Sequence, residues 1–402
     1  MTAWITVVGI GDDGLAGLTP TACAIIDDAE LLAGGERHQA MVAESQAERL
    51  TWACGLGQAM AEMETWRGRR VVVLASGDPM HFGVGATLLR RFPPEDITIV
   101  PHTGTFQTVA ARMLWSVADT TPVTVHGRPL ESLALHLAPD ARLVLFSRDG
   151  DTPAEVAAML VERGYGESPM SVFEHLDGTD ENRLDGNAAE WPHDRCADLN
   201  AIAVECVAGS DAWIAPRVPG LSEDLFEHDG KITKREVRAA SLARLMPLSG
   251  QVLWDVGAGA GSVAIEWMRA AEGARAVAIE QSADRRAMMA RNAQVLGVPK
   301  LEIIAGSAPG ALDDIDGTPN AIFCGGGVAT PGLVEACWER LAPGGRLVAN
   351  AVTLESQERL TALRTELGGE LVRFAIERSG PVGGMTAMRP LMAVLQLAVT
   401  KT

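Results

Sequence analysis

Two segments of the chain share one pattern: a short apolar run that reads as a strand, followed by a turn crowded with glycine. They are residues 4–18 (WITVVGIGDDGLAGL) and residues 251–262 (QVLWDVGAGAGS). A strand delivered into a glycine turn that opens a helix begins a βα unit, so a chain with two such starts is expected to build two α/β cores. Its 402 residues leave room for both, because a domain takes roughly 100–200. With 47% apolar and 21% charged residues, the chain is neither disordered nor fibrous. Aromatics are only 4%, so the cores must rest mostly on Ala, Val and Leu.

Residues 206–221 (CVAGSDAWIAPRVPGL) are rich in Gly, Pro and Ala and have no convincing period. That is the best boundary signal. It suggests a first domain over 1–209, a linker and lead-in over 210–230, and a second domain over 231–402. In the first block, strands are expected over 71–75, 97–100, 143–146, 170–173 and 199–204, with helices over 21–27 and 152–163. The second block is more regular. A basic helix over 234–246 leads in, and strands follow over 252–256, 276–280, 301–304, 321–324 and 346–351. Helices are expected over 262–271, 284–296, 331–341 and 354–367, and two strands near 371–376 and 391–399 close the block. Strict alternation implies a parallel sheet with helices on both faces. No short repeat is present, which excludes a solenoid.

The acids outnumber the bases 52 to 34, a formal charge of −18. Such a field repels a nucleic-acid backbone, so no nucleic-acid partner is expected. No apolar run approaches the roughly 20 residues of a membrane span, and no basic n-region precedes the first apolar run. A cytoplasmic protein without a membrane partner is expected. The six cysteines lack CxxC spacing and the eight histidines are scattered; free buried thiols and no metal are expected.

In the second block, Asp255-Val-Gly257-Ala258-Gly259-Ala260-Gly261 follows a strand and opens a helix, and Glu280 ends the next strand. Glycines let the backbone approach a ligand closely. A carboxylate at the second strand's end can accept hydrogen bonds from both hydroxyls of a ribose. Taken alone, the turn is also what any tight strand-to-helix connection needs. Together with residues 305–309 (AGSAP) and Gly325-Gly326-Gly327, it favours a nucleoside site. The block resembles class I (Rossmann-like) S-adenosylmethionine-dependent methyltransferases, whose first motif is an acid followed by GxGxG. More narrowly, its lead-in Val218-Pro219-Gly220-Leu221, its ITKREVR segment (232–238) and the GSAP turn resemble the decarboxylating precorrin methyltransferase domain. The resemblance implies donor contacts from Thr233, Asp255, Gly257 to Gly261, Glu280, Ser307 and Ala308; at Ser307 that family usually carries Asp.

In the first block, Gly9-Ile-Gly11-Asp-Asp-Gly14 fits the dinucleotide pattern G-x-G-x-x-G. However, Leu18-Thr19-Pro20 interrupts the way to a helix, and no strand-ending acid is clear about 20 residues on. Ser76-Gly77-Asp78-Pro79, Leu18-Thr19-Pro20 and His126-Gly127-Arg128 are instead similar to the tetrapyrrole methylase family. The GGERH segment (34–38) and His126-Gly127-Arg128 resemble its precorrin C5-methylating branch. That resemblance implies that Gly77, Asp78 and Pro79 face S-adenosylmethionine, while Gly9 and Gly11 border the macrocycle.

The two domains in this order are similar to the bifunctional precorrin methyltransferases of cobalamin biosynthesis. The implied activity is methylation of precorrin-6B at C5 by the first domain. The second would methylate C15 and decarboxylate the C12 acetate, each domain having its own S-adenosylmethionine site. Homo-oligomerisation is also implied. The polycarboxylate substrate needs local bases: Lys231, Lys234, Arg235 and Arg238 crowd the helix after the linker, which is equally well a solvated face. Arg378 and Arg389 flank the glycine turn at 383–384, where residues 379–388 read as a loop near the site. Asn350, Glu355 and His126 are the reachable candidates for a general acid or base. A dehydrogenase using the Gly9 turn for NAD, and a non-catalytic tetrapyrrole carrier, stay open.

Overall fold

The computed structural model describes residues 3–402, the Cys54 side chain excepted. The chain forms two compact units. One runs to Leu130 and resumes over His136–Trp213; the other comprises Glu131–Leu135 and Ile214–Thr402.

The first unit contains two five-stranded sheets. Strands β1 (Ile5–Ile10), β2 (Leu31–Gly34), β3 (Glu48–Thr51), β4 (Val71–Ser76) and β5 (Ile97–Val100) form an all-parallel sheet in the order β3-β2-β4-β1-β5. Its inner strands β2, β4 and β1 are buried on both faces, which is why β4 is an almost unbroken apolar run. Ile5, Val7, Val71 and Val73 pack on one side with Met63 and Phe92. Val8, Ile10, Val72 and Leu74 pack on the other with Ala22 and Ile26. The helix Pro20–Asp27 starts where proline and a capping threonine coincide; Thr19 Oγ1 accepts from the Ala22 amide at 3.2 Å.

The second sheet is ordered β6-β7-β10-β8-β9, from β6 (Thr120–Thr124), β7 (Arg142–Phe146), β8 (Pro169–Glu174), β9 (Asn182–Asn187) and β10 (Asn200–Glu205). Only β6 and β7 run parallel; the other neighbours are antiparallel. This corrects the parallel expectation for that half, and the reason is the connection. β8 and β9 are joined by a turn, and antiparallel neighbours need no crossover helix.

The second unit has one seven-stranded sheet, β13-β12-β11-β14-β15-β19-β16. Its strands are β11 (Val252–Val256), β12 (Arg275–Glu280), β13 (Glu302–Ala305), β14 (Ala321–Cys324), β15 (Arg346–Ala351), β16 (Glu370–Phe374) and β19 (Val394–Thr400). β11 to β15 are parallel, and β19 inserts antiparallel between β15 and β16. Residues 379–388 are not a loop. They lie in an exposed two-stranded ribbon of β17 (Glu377–Val382) and β18 (Met385–Pro390).

Among the described residues, no helix is long and apolar enough to cross a membrane, and no cluster of metal-ligating side chains occurs. Five cysteines are free thiols; Cys206, Cys324 and Cys337 are buried, but Cys23 and Cys196 are only half-buried. The sixth, Cys54, has its side chain outside the described residues.

Candidate active sites

In the second unit the carboxyl ends of β11, β12, β13 and β14 bring the glycine turns to one edge. The turn after β11 passes through three left-handed glycines, Gly257 (φ 71°), Gly259 (φ 58°) and Gly261 (φ 80°), before the helix Ser262–Ala270. At Gly261 a Cβ would come within 2.4 Å of the Met289 side chain, whereas at Gly257 it would meet nothing within 4 Å. The first glycine therefore leaves open space and the last is needed for close packing.

Glu280 is buried, and its carboxylate accepts from the Gly259 amide and the Ser282 amide, each at 2.9 Å. The Gly257 and Ala258 amides both donate to the Ile279 carbonyl at 3.0 Å. Asp255 is also buried. Its Oδ2 accepts from the Ala264 amide at 3.0 Å, while Oδ1 is enclosed without a partner. Burial, with the Glu280 charge adding to it against the Ala264 amide, pushes the Asp255 carboxyl up to about 7. A buried carboxylate oxygen without a donor beside an open glycine cradle suits a cationic ligand. The Asp255 carboxylate and the open cradle therefore fit the amino-acid end of S-adenosylmethionine.

The flanks are held by residues that local patterns did not mark. Asn292 donates to the Ala260 and Glu227 carbonyls and accepts from the Glu227 amide, tying the lead-in to the glycine turn. The Lys231 carbonyl lies 3.8 Å from where a Gly259 Cβ would stand, and the Thr233 carbonyl two residues on accepts from Arg238. Ala308 is buried in the turn after β13, and Ser307 beside it is exposed. The Gly325 amide donates to the Val256 carbonyl at 3.3 Å.

Several expected substrate groups have other work. Arg378 is paired with Glu223 (2.8 Å) and Glu236 (2.6 Å), so its fork is already filled by protein carboxylates. Burial opposes ionisation of Glu223, but hydrogen bonds from Arg378 and the Arg235 amide outweigh it and bring the carboxyl down to about 2. Arg389 donates to the Pro381 carbonyl within the ribbon. Arg238 is neither solvated nor at a site. It is fully buried, pairs with Glu266 at 2.7 Å, and donates to the Thr233 and Leu221 carbonyls. Arg235 is exposed. Asn350 is enclosed in an amide network with Ser241 and Gln396, which removes it as an acid or base. Glu355 is exposed in the first turn of the helix Leu354–Leu367.

In the first unit a cleft of about 430 Å³ opens at the carboxyl ends of the parallel strands, a size suited to a small-molecule ligand. Gly11, Gly77, Asp78 and His126 line it. Gly77 is left-handed (φ 54°), and a Cβ there would press on Gly104 Cα at 3.2 Å. Gly9 is placed differently from the expectation. A Cβ on it would lie 2.1 Å from the Gly77 carbonyl oxygen, so its glycine permits the approach of β1 to the Gly77 turn. Asp78 accepts from the Met80 amide at 2.8 Å, and buried Pro79 accepts from the Gly85 amide at 3.0 Å. Gly14 opens a 3-10 turn (Gly14–Gly17), and β2 is not a neighbour of β1. The helix and neighbouring strand of a dinucleotide turn are thus absent there.

The same cleft holds a polar chain. Arg37 donates to Asp12 (2.6 Å) and to Ser76 Oγ (3.0 Å), His38 Nε2 lies 2.9 Å from Ser76 Oγ, and His175 Nδ1 lies 3.1 Å from Asp12. Burial first, then the Arg37 charge, carries His38 down to about 4 against the pull of Asp12, so its ring is neutral at physiological pH. The signal available for Arg37 and His38 was the GGERH segment, which carries both.

Two family models match separate stretches of the chain. The family of Tetrapyrrole (Corrin/Porphyrin) Methylases matches residues 5–192, and the precorrin methyltransferase domain matches residues 224–401. A precorrin-6Y C(5,15)-methyltransferase [decarboxylating] from Sinorhizobium sp is 44% identical over 402 residues, covering 100% of this chain and 97% of the relative. The chain belongs to the decarboxylating precorrin-6Y C(5,15)-methyltransferase family. The namesake from Mycobacterium tuberculosis is 40% identical, covering 99% of this chain and 100% of its own. A cobalt-precorrin-7 C(5)-methyltransferase of Salmonella typhimurium is 36% identical over 174 residues, which is 43% of this chain and 85% of that protein.

Proposed function

We propose that the chain methylates precorrin-6B at C5 and C15 with two molecules of S-adenosylmethionine and decarboxylates the C12 acetate, as a step of cobalamin biosynthesis. The observation that carries this reading is full-length similarity to a decarboxylating C(5,15)-methyltransferase, joined to a cleft at the strand ends of the first unit and a glycine turn with buried Glu280 in the second. C5 methylation belongs to the first unit and C15 methylation with decarboxylation to the second. A C5-methylating relative that covers only 43% of this chain supports that division.

S-adenosylmethionine supplies an electrophilic methyl group on a sulfonium. The acceptor is an electron-rich meso carbon of a reduced tetrapyrrole, so no covalent nucleophile of the protein is needed. In the second unit the open space at Gly257 and Gly259 admits the donor, Glu280 takes the ribose hydroxyls, and the buried Asp255 carboxylate supplies a counter-charge to the donor's positive end. In the first unit the Gly77-Asp78-Pro79 turn would hold the donor, while neutral His38 and Ser76 order the cleft wall. Holding donor and acceptor in line and shedding water supplies much of the acceleration. Loss of CO₂ from the acetate breaks its C–C bond and leaves the electron pair in the conjugated macrocycle.

The test is a mass spectrum of precorrin-6B after incubation with the full chain and methyl-labelled S-adenosylmethionine. Two labelled methyls with loss of one carboxyl are expected. One methyl would leave a silent unit, identified by Asp78→Ala and Asp255→Ala variants; no change would overturn the reading.

A further inference from the structure

We propose that Arg128, held over the ring of Phe82, receives a carboxylate of the tetrapyrrole at the cleft of the first unit. The inference rests on the function proposed above and names a specificity-determining contact for it.

The His126-Gly127-Arg128 segment follows β6. Gly127 is left-handed (φ 67°) with nothing within 4 Å of a Cβ position, so the turn stands clear of the core. The Arg128 guanidinium carbon lies 5.4 Å from the Phe82 ring centroid. Phe82 in turn stacks on His81 at 4.8 Å with the planes 27° apart, and the Phe146 ring meets both edge-on at 5.4 Å. His81, Phe82 and Phe146 all line the cleft. These rings form one wall of the cleft, and Arg128, itself exposed, reaches that wall through the Phe82 ring rather than lining the cleft.

Two features mark the wall as built for a ligand. Phe82 is a bulky residue with φ 55°, a backbone region that L side chains occupy at a cost, and it is 46% exposed. Strain combined with exposure of an aromatic ring serves no core. The second feature is charge. Arg37 is neutralised by Asp12, Arg148 by Asp149 and Glu155, and Arg112 by Asp177 and Glu181. Among the described residues Arg128 has no ion-pair partner.

The chemistry that such a pair recognises is a flat conjugated ring edged with carboxylates. The aromatic wall offers apolar area to the ring. A guanidinium forks a carboxylate bidentately, and its seat over Phe82 limits its rotamers before the ligand arrives. In a chain of net charge −18, a polycarboxylate acceptor needs such a cation at the cleft.

The experiment follows C5 methylation by the full chain with Arg128→Ala, Arg128→Lys and Phe82→Leu variants. Arg128→Ala should raise KM for the tetrapyrrole about tenfold, the worth of a charged hydrogen bond, with kcat and KM for S-adenosylmethionine within about twofold of the parent. Arg128→Lys should recover part of the loss, and Phe82→Leu should raise KM by a smaller factor. An unchanged tetrapyrrole KM in Arg128→Ala overturns the proposal while the function stands. A matching rise in KM for S-adenosylmethionine would place Arg128 at the donor and also overturn it. If the parent chain places no methyl at C5, it is the underlying functional reading that falls.

Discussion

The Glu280 carboxylate accepts the Gly259 amide at 2.9 Å, so the acid assigned to a ribose also shapes the glycine turn beside it. Its other oxygen accepts from Ser282 at the start of the next helix. Removing it should therefore cost both fold and affinity. Glu280→Ala should lower the unfolding midpoint, since each buried amide left unpaired costs about 1–3 kcal/mol, and should weaken S-adenosylmethionine binding to the second unit by about tenfold or more, the worth of a hydrogen bond to a charged carboxylate. Glu280→Gln keeps an acceptor and should fall between. Calorimetric titration and melting of the two variants check this; intact binding in Glu280→Ala would remove the residue from the site.

Asp255 should make both stability and affinity depend on pH near neutrality. Its folded value, about 7, lies above its ordinary one, so between about pH 4 and 7 the folded chain keeps a proton that the unfolded chain has lost. That contribution is present below the ordinary value and is lost as pH rises through 7. Asp255→Asn should then come nearest the parent below about pH 4, and its melting advantage without ligand should widen from pH 5 to pH 8. A cationic donor favours the ionised carboxyl, so parent affinity should rise from pH 6 to 8 while the variant stays weaker and flat. Parallel melting curves across pH would refute the assignment.

Arg238 and Glu266 should behave as a single unit. Both are buried, and Glu266 also accepts the Gly220 and Leu221 amides. Arg238→Met leaves that carboxylate buried without its cation, a loss of about 3–5 kcal/mol in comparable sites. Adding Glu266→Leu should cost less than it does in the parent chain, because the pair is already broken and what remains to lose is the acceptor for the Gly220 and Leu221 amides. Chemical denaturation of the single and double variants measures the coupling; additive losses would show two independent residues.

The second unit was legible because its parallel strands are buried on both faces and spell continuous apolar runs, as in Ala321–Cys324 (AIFC). The ribbon β17–β18 was not, since its residues are mostly exposed and Pro381 and Gly383-Gly384 read as a loop. β9 (NRLDGN) has no apolar face to detect. Local motifs placed Gly257 to Gly261 and Glu280 at one edge. Arg378 misled because its partners Glu223 and Glu236 are 155 and 142 residues away in sequence. The cleft's polar chain was hidden for the same reason: Arg37 reaches Ser76 only because β2 lies beside β4.

That polar chain gives the sharpest titration. His38 is ordinarily near 6.5, and burial together with Arg37 brings it to about 4. As pH falls from 6.5 towards 4, the unfolded chain takes up a proton that folded His38 refuses, so the stability from the neutral ring is lost over that window. A nuclear magnetic resonance titration should find the His38 midpoint near 4. Arg37→Gln removes the neighbouring positive charge and leaves burial alone against Asp12, so the midpoint should move up but stay below 6.5. Asp12→Asn should lower it further, since the neighbouring carboxylate that favours the charged ring is gone. A parent midpoint near 6.5 would mean that the ring is partly charged at neutral pH, and Ser76 could then only accept from it.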